Sequence, residues 1–270
     1  MFLVIKMQIC IFLTKNKLMK KITVFLFVML YLQSVGQELP RNALGFYEDI
    51  KAISHKICFK DLKHYDFSKI WLHNDGVRVG FIGKSYQKFD IHFDSIIKMD
   101  DKNYQVYGRT KVKDNICDFQ GYFQITDIIL YLNEEKQKLF EMAKEQGDKA
   151  AMNRFKTEKY VVIFQYRLSE DRSQYGSGLF KGIGVSYFEE NERAVSYYDN
   201  RLSDSYKNNQ FVGIWESYKT GAIKICHWGD YRISLSGDLD IGAGEFSPNP
   251  KYKDNGWEDY NPNRKDEWWK

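Results

Sequence analysis

Three carboxylates stand close together late in the chain: Asp238, Asp240 and Glu245, in Gly237-Asp-Leu-Asp-Ile-Gly-Ala-Gly-Glu-Phe246. On a strand, Asp238 and Asp240 share a face. Paired carboxylates can do acid–base work on a glycoside, or hold Ca²⁺ with hard oxygen ligands. The stretch lacks the EF-hand pattern, because Gly242 stands at the third acidic position and no Glu closes the loop. The structural alternative is equally concrete. Asp238 can serve a turn, and Asp230 can pair with Arg232 or a neighbour.

Other reactive residues are sparse. No Gly-x-Ser-x-Gly elbow, phosphate-cradling Gly loop or His-Glu-x-x-His motif is present. The five His are scattered. Cys226 and His227 are adjacent, so on a strand they point to opposite faces and cannot form a nucleophile pair. Asp90, His92 and Asp94 alternate along one strand face, as a solvated face or half a metal site does. His55 and Cys58 would share a helix face, but no second pair follows at zinc-ligand spacing. No catalytic residue, metal or cofactor is assigned.

Aromatic residues offer binding rather than reaction. Trp215, Tyr218, Trp228 and Tyr231 lie in the Gly- and Trp-rich stretch Asn209–Ile233. In a small barrel such rings fill the interior; in a wider one they line a pocket for an apolar or sugar ligand. They are the candidate ligand-binding residues.

The elements that must position them read as strands. Phe211 to Tyr218 and Ala222 to Trp228 form two arms of a hairpin turning at Lys219-Thr220-Gly221. Phe89, Ile91 and Phe93 alternate with Asp90, His92 and Asp94, the period of a half-buried strand. From Ile70, turn signals recur about every ten residues, which predicts an antiparallel meander. Tyr160 to Tyr166 resumes the pattern, and Phe180–Phe188 with Ala194–Tyr198 predicts another hairpin. Residues 133–156 interrupt it with two helix-like pieces around Gly147-Asp148, an inserted helical hairpin. Asn42 can cap an earlier helix carrying Leu44, Tyr47, Ile50, Ile53 and Ile57. Residues 247–270 lose all period and read as an irregular aromatic tail, with Trp268-Trp269 as a free or sticky end. The expected fold class is all-β, barrel-like, in one domain over residues 37–270.

Residues 1–36 stand apart. Met19-Lys20-Lys21, an apolar run from Ile22 to Leu32 and small residues at Ser34-Val35-Gly36 have the layout of a secretory signal peptide. Translation starts at Met1 or Met19. The apolar run is short for a bilayer span, which needs about 20 residues. An exported location follows: periplasmic, outer-membrane associated or secreted, with no stable span after cleavage. The chain has 40 basic and 36 acidic residues, and the leader holds five of the lysines and no acid, so the remainder is nearly neutral. Nothing in that balance argues for nucleic acid, which requires a clustered basic face. Beyond Cys10, three cysteines remain: Cys58, Cys117 and Cys226. In an exported chain they allow one bridge, Cys117–Cys226, or three unpaired thiols.

Phe211-Val-Gly-Ile-Trp215, Lys224-Ile-Cys-His-Trp-Gly-Asp-Tyr-Arg-Ile233 and Leu239-Asp-Ile-Gly-Ala-Gly-Glu-Phe246 resemble an uncharacterised family of exported Bacteroidetes-type proteins. Gly83 and Val112–Phe119 are similar too, and Ser234 replaces an expected Pro. The family implies no activity. The Gly-x-Trp also resembles lipocalin-like barrels, where it belongs to the first strand. Function is therefore expected to be binding or interaction with an unidentified small molecule, glycan or protein. A glycan or peptide hydrolase using the Asp238/Asp240/Glu245 cluster, and a structural envelope component, are the alternatives.

Overall fold

A computed structural model describes residues 40–52, 56–57, 62–73, 78–131, 134–155, 159–191, 194–201, 204–261 and 267–270. The leader, His55, Cys58 and the turn at 74–77 lie outside these residues. Leu39–Lys270 forms one unit.

One antiparallel sheet dominates. Its strands are β1 (Lys56–Ile57), β2 (Arg78–Ile82), β3 (Gln87–Lys88), β4 (Asp90–Lys98), β5 (Asn103–Val112), β6 (Asn115–Tyr131), β7 (Lys159–Glu170), β8 (Gly178–Asn191), β9 (Ala194–Tyr197), β10 (Asn208–Ser217) and β11 (Ile223–Asp230). The path runs β3-β2-β11-β10-β8-β7-β6-β5-β4, with β1 added to β6 and β9 to β8. Because β3 leads into β4 at Phe89, whose amide donates to Gly80 O at 2.9 Å, the two ends of the path meet at one corner. The result is a curled half-barrel, as the meander pattern predicted. Among the described residues no helix is long and apolar enough to cross a membrane.

The tight turns β2–β3, β5–β6, β7–β8 and β10–β11 gather at one end of the strands, here the hairpin end. At the opposite end, two helices connect β6 to β7: α3 (Glu134–Glu145) and α4 (Lys149–Phe155). That is the insert end.

Apolar residues cover both faces. Tyr160, Val162, Phe164, Tyr166 and Leu168 of β7 point inward, while Val161 and Ile163 point outward. This explains the unbroken apolar run in β7: a strand buried on both faces does not alternate. On its outer face Val161 and Ile163 join Ile183, Val185 and Val212 of the neighbouring strands in one patch, which α1 (Arg41–Ala52) covers through Ala43 and Phe46. The buried side of α1 is thus Ala43, Phe46, Tyr47 and Ile50, and Leu44 is exposed. Nor does Asn42 cap this helix. Its side chain turns to the sheet, donating to Gly213 O at 3.1 Å and to His227 Nε2 at 2.8 Å. Burial holds the His227 imidazole down to about 4, so it is neutral. Its Nδ1–H then donates to Ser234 O at 3.2 Å, leaving Nε2 to accept from Asn42.

Ile70 and Trp71 are not the start of the β pattern. They lie in a helical turn, α2 (Ser68–Trp71), that pushes Phe67, Ile70 and Trp71 into the half-barrel interior. Three large apolar residues at this spacing project from one side of a turn, whereas a strand would send them to both faces. Beyond β11, Ile233, Leu239, Phe246 and Trp257 fold back over Val79 and Phe81 on the outer face of β2. The tail is therefore a cover, with a 3-10 turn at Pro250–Asn255 and the Trp257 indole donating to Tyr86 O at 2.6 Å.

Candidate functional site

Inside the half-barrel, Trp228 is fully buried and stacks on Phe211, ring centroids 4.7 Å apart at 12°. Phe211 meets Phe123 and Phe164, which in turn meet Trp71 at about 5 Å. These rings fill the interior. The four aromatic candidates are accordingly spread along the hairpin. Trp228 is core. Tyr231 lies just past β11 at the insert end, with its ring 5.0 Å from Tyr206. Only Trp215 and Tyr218 lie together, at the hairpin end.

Their neighbourhood is built around Glu170, the last residue of β7. It continues the inward series Tyr166, Leu168, Glu170, so the strand pleat carries a carboxylate into the interior. One oxygen accepts from Trp215 Nε1 at 3.0 Å and Gly178 N at 2.7 Å. The other accepts from Thr110 Oγ1, a residue of β5 that shares the inner face. Burial pushes the Glu170 carboxyl above the usual carboxylate range, against the pull of these donors. Lys224, the register partner of Trp215, holds its ammonium 5.4 Å from the indole centroid. The loop 171–177 closes over this end. Tyr175 O accepts from Asn115 Nδ2 at 3.0 Å, and Arg172 lies 3.9 Å over the Tyr218 ring. The loop tip, Tyr175, is 82% exposed.

Glu170 belongs to none of the sequence motifs. Its signal depends on the strand's facing: once β7 sends Tyr166 and Leu168 inward, an acid two residues on must lie in the interior, where an unpaired carboxylate is costly.

A second polar cluster closes the insert end. Asp230 is buried and accepts from Arg78 Nε at 2.8 Å, Asn209 Nδ2 at 2.7 Å and Tyr197 OH at 3.3 Å. Asp230 therefore pairs with Arg78 on the neighbouring strand, not with Arg232. Asn209 also donates to Ile70 O at 2.9 Å, and Arg78 Nη2 to Trp71 O at 3.3 Å. Asn209 thus ties α2 to β11 where β10 carries a bulge, while Asn208 donates to Tyr187 O and Tyr198 O, and Gln210 to Arg232 O.

The carboxylate cluster is divided. Arg232 Nε donates to Asp240 at 2.7 Å, and Asp240 also accepts from Gly242 N and Ser247 N, which shapes the loop. Asp238 is exposed and accepts from Tyr252 OH at 2.6 Å and from Lys251 Nζ. Glu245 is exposed. No group of three or more His, Cys, Asp or Glu suited to a metal occurs among the described residues.

Cys117 and Cys226 are both free, buried thiols. The expected bridge between them is not formed. They lie on β6 and β11, with β7, β8 and β10 between them in the sheet. Burial raises Cys117 to about 11 and holds Cys226 well above the usual thiol range.

On the outer face of β4, Asp90, His92 and Asp94 form no metal site. Lys88 pairs with Asp90 at 2.8 Å, and His92 stacks on Trp269, centroids 4.1 Å apart at 4°. Arg109 donates to Trp269 O. The Trp268-Trp269 end is therefore seated on the sheet.

No family model, curated protein or solved structure matches this chain.

Proposed function

We propose that this is an exported binding protein that meets its partner on the outer rim of the hairpin end, and not inside the half-barrel. The carrying observation is the packed interior. Trp228, Phe211, Phe164, Phe123 and Trp71 occupy the volume that a lipocalin-like carrier keeps for its ligand. Tyr175, with the half-buried Tyr218, instead brings aromatic surface to the rim, and Glu170 fixes the buried Trp215 at the same end. The hydrolase alternative has less support, because Asp238 and Asp240 answer to different cations. Export rests on the three-part leader.

In-cell photo-cross-linking tests this. A photoreactive residue at position 175 or 218 is expected to yield an adduct. The same residue at Met142, exposed on α3, is expected to yield none. Adducts at 142 alone would overturn the proposal.

A further inference from the structure

The turns of the hairpin end carry a cluster of basic side chains, and the exposed Asp118 beside them pairs with Arg109 at 3.2 Å. Lys84, Lys113, Arg172 and Lys219 stand on the four turns of the hairpin end, all exposed. Lys224 is exposed one residue into β11, beside Gly83 of the β2–β3 turn. The turns themselves carry two acids, Asp114 and Asp171, and Asp171 accepts from Ser173 N and Oγ. Glu216, near the end of β10, is matched by Lys181 at 3.2 Å. The flanking segment from Lys251 to Asp259 carries both signs. In a chain whose charges nearly cancel beyond the leader, this is a local positive excess. At the insert end, the β4–β5 turn carries Asp100, Asp101 and Lys102, and α3 alternates Glu and Lys.

Apolar groups stand among these cations. Tyr175 is 82% exposed, Ile223 63% and Ile116 41%, each at or beside a hairpin-end turn. Exposed apolar residues also occur at the insert end, Ile97 and Met99 among them, but without the positive excess. Basic residues around protruding aromatic and aliphatic side chains are the chemistry of an interface with an anionic bilayer. The cations approach the phosphates, and the apolar groups enter the headgroup boundary. An anionic polysaccharide would use the cations and Tyr175, but has no use for Ile116 and Ile223.

Resting on the rim proposal, we infer that the partner at the hairpin end is an anionic phospholipid surface, on which the half-barrel stands end-on. Attraction to such a surface is worth roughly a five-fold affinity change per basic residue, and salt screens it.

The test is co-sedimentation of the full chain with phosphatidylcholine–phosphatidylglycerol vesicles and with phosphatidylcholine alone. The leader's own lysines and apolar run then contribute equally to every variant. The triple variant Lys113→Glu, Arg172→Glu, Lys219→Glu is expected to lose at least about a hundred-fold in affinity for the anionic vesicles. A charge-matched triple at the other end, Lys102→Glu, Lys138→Glu, Lys144→Glu, is expected to match wild type. Tyr175→Ala with Ile223→Ser is expected to weaken binding while leaving its salt dependence unchanged. Circular dichroism confirms that each variant is folded. Equal losses in both triples, or no difference between lipids for any protein, overturn the inference. So does a requirement for the same residues in binding a sulfated polysaccharide with none for vesicles. If the lipid result fails while position 175 still cross-links to a protein, the rim proposal stands and only the lipid partner falls. If both fail, both are wrong.

Discussion

The hydroxyl of Tyr166 stands 2.4 Å from an ideal Cβ at Gly213, in a space that Lys181 O, at 2.2 Å, also limits. Tyr166 pairs with Gly182, Gly182 with Gly213, and Gly213 with Cys226, so one row crosses four strands on the inner face. The tyrosine lies over both glycines. The missing Cβ atoms let the ring sit against backbone, which lets the sheet curl tightly around its aromatic filling. Gly213→Ala is expected to cost about 2–3 kcal/mol, by overpacking. Among the described residues the buried Tyr166 hydroxyl has no hydrogen-bond partner. Tyr166→Phe is therefore expected to be nearly neutral alone and to recover part of the loss in the Gly213→Ala background. Urea unfolding of the four proteins in the cycle measures this, and strict additivity would refute it.

Arg78 and Asp230 act as a clasp on α2. Removing one partner leaves a buried charge uncompensated. Arg78→Met is expected to destabilise by about 3–5 kcal/mol, and more than the double variant Arg78→Met with Asp230→Leu. Hydrogen exchange in residues 67–71 should quicken in the single variant before the strands change. Unchanged exchange there would detach the clasp from α2.

Two buried groups give opposite pH dependences. His227 is neutral when folded, with its value lowered to about 4 by burial. The unfolded chain binds a proton near 6.5 that the folded one refuses. Stability from this residue is therefore full above 6.5 and lost as pH falls toward 4, by up to about 3 kcal/mol. Glu170 is raised by burial, so its contribution is present at low pH and lost as pH rises through its folded value. His227→Gln should flatten the urea-midpoint profile between pH 4 and 6.5, and Glu170→Gln should flatten the decline on the alkaline side of the carboxylate range. Profiles unaltered by either change would contradict these assignments.

The thiols provide a direct check on the core. Iodoacetamide should leave the peptides containing Cys117 and Cys226 unlabelled in the folded protein, and label both after urea without any reductant. Labelling that required reductant would mean a bridge, and a different path for β6 and β11.

The strand positions and the helical insert are legible because alternation, turn residues and the composition of residues 133–156 are local signals, whereas the pairing of β2 with β11 is not local. The β10–β11 hairpin, turning at Lys219-Thr220-Gly221, is the clearest case. Ile70 and Trp71 read as strand in the sequence, because three apolar residues in a row, Ile70-Trp71-Leu72, carry no period by themselves. The Asp230–Arg78 pair is not legible in sequence, because the two residues are joined only by strand pairing over a long separation. The Asp238/Asp240/Glu245 cluster shows the reverse: closeness in sequence did not gather the groups, since Arg232 and Lys251 claim them separately. Glu170 was visible only after β7 was known to send Tyr166 and Leu168 inward.

Binding on the rim requires that the half-barrel interior be packed core, closed to any ligand. A crystal structure of the protein under xenon pressure tests that requirement, since xenon enters dry apolar cavities. No xenon is expected among Trp71, Phe123, Phe164, Phe211 and Trp228. Xenon or lipid density inside that cage would contradict rim binding and return the molecule to the class of ligand carriers.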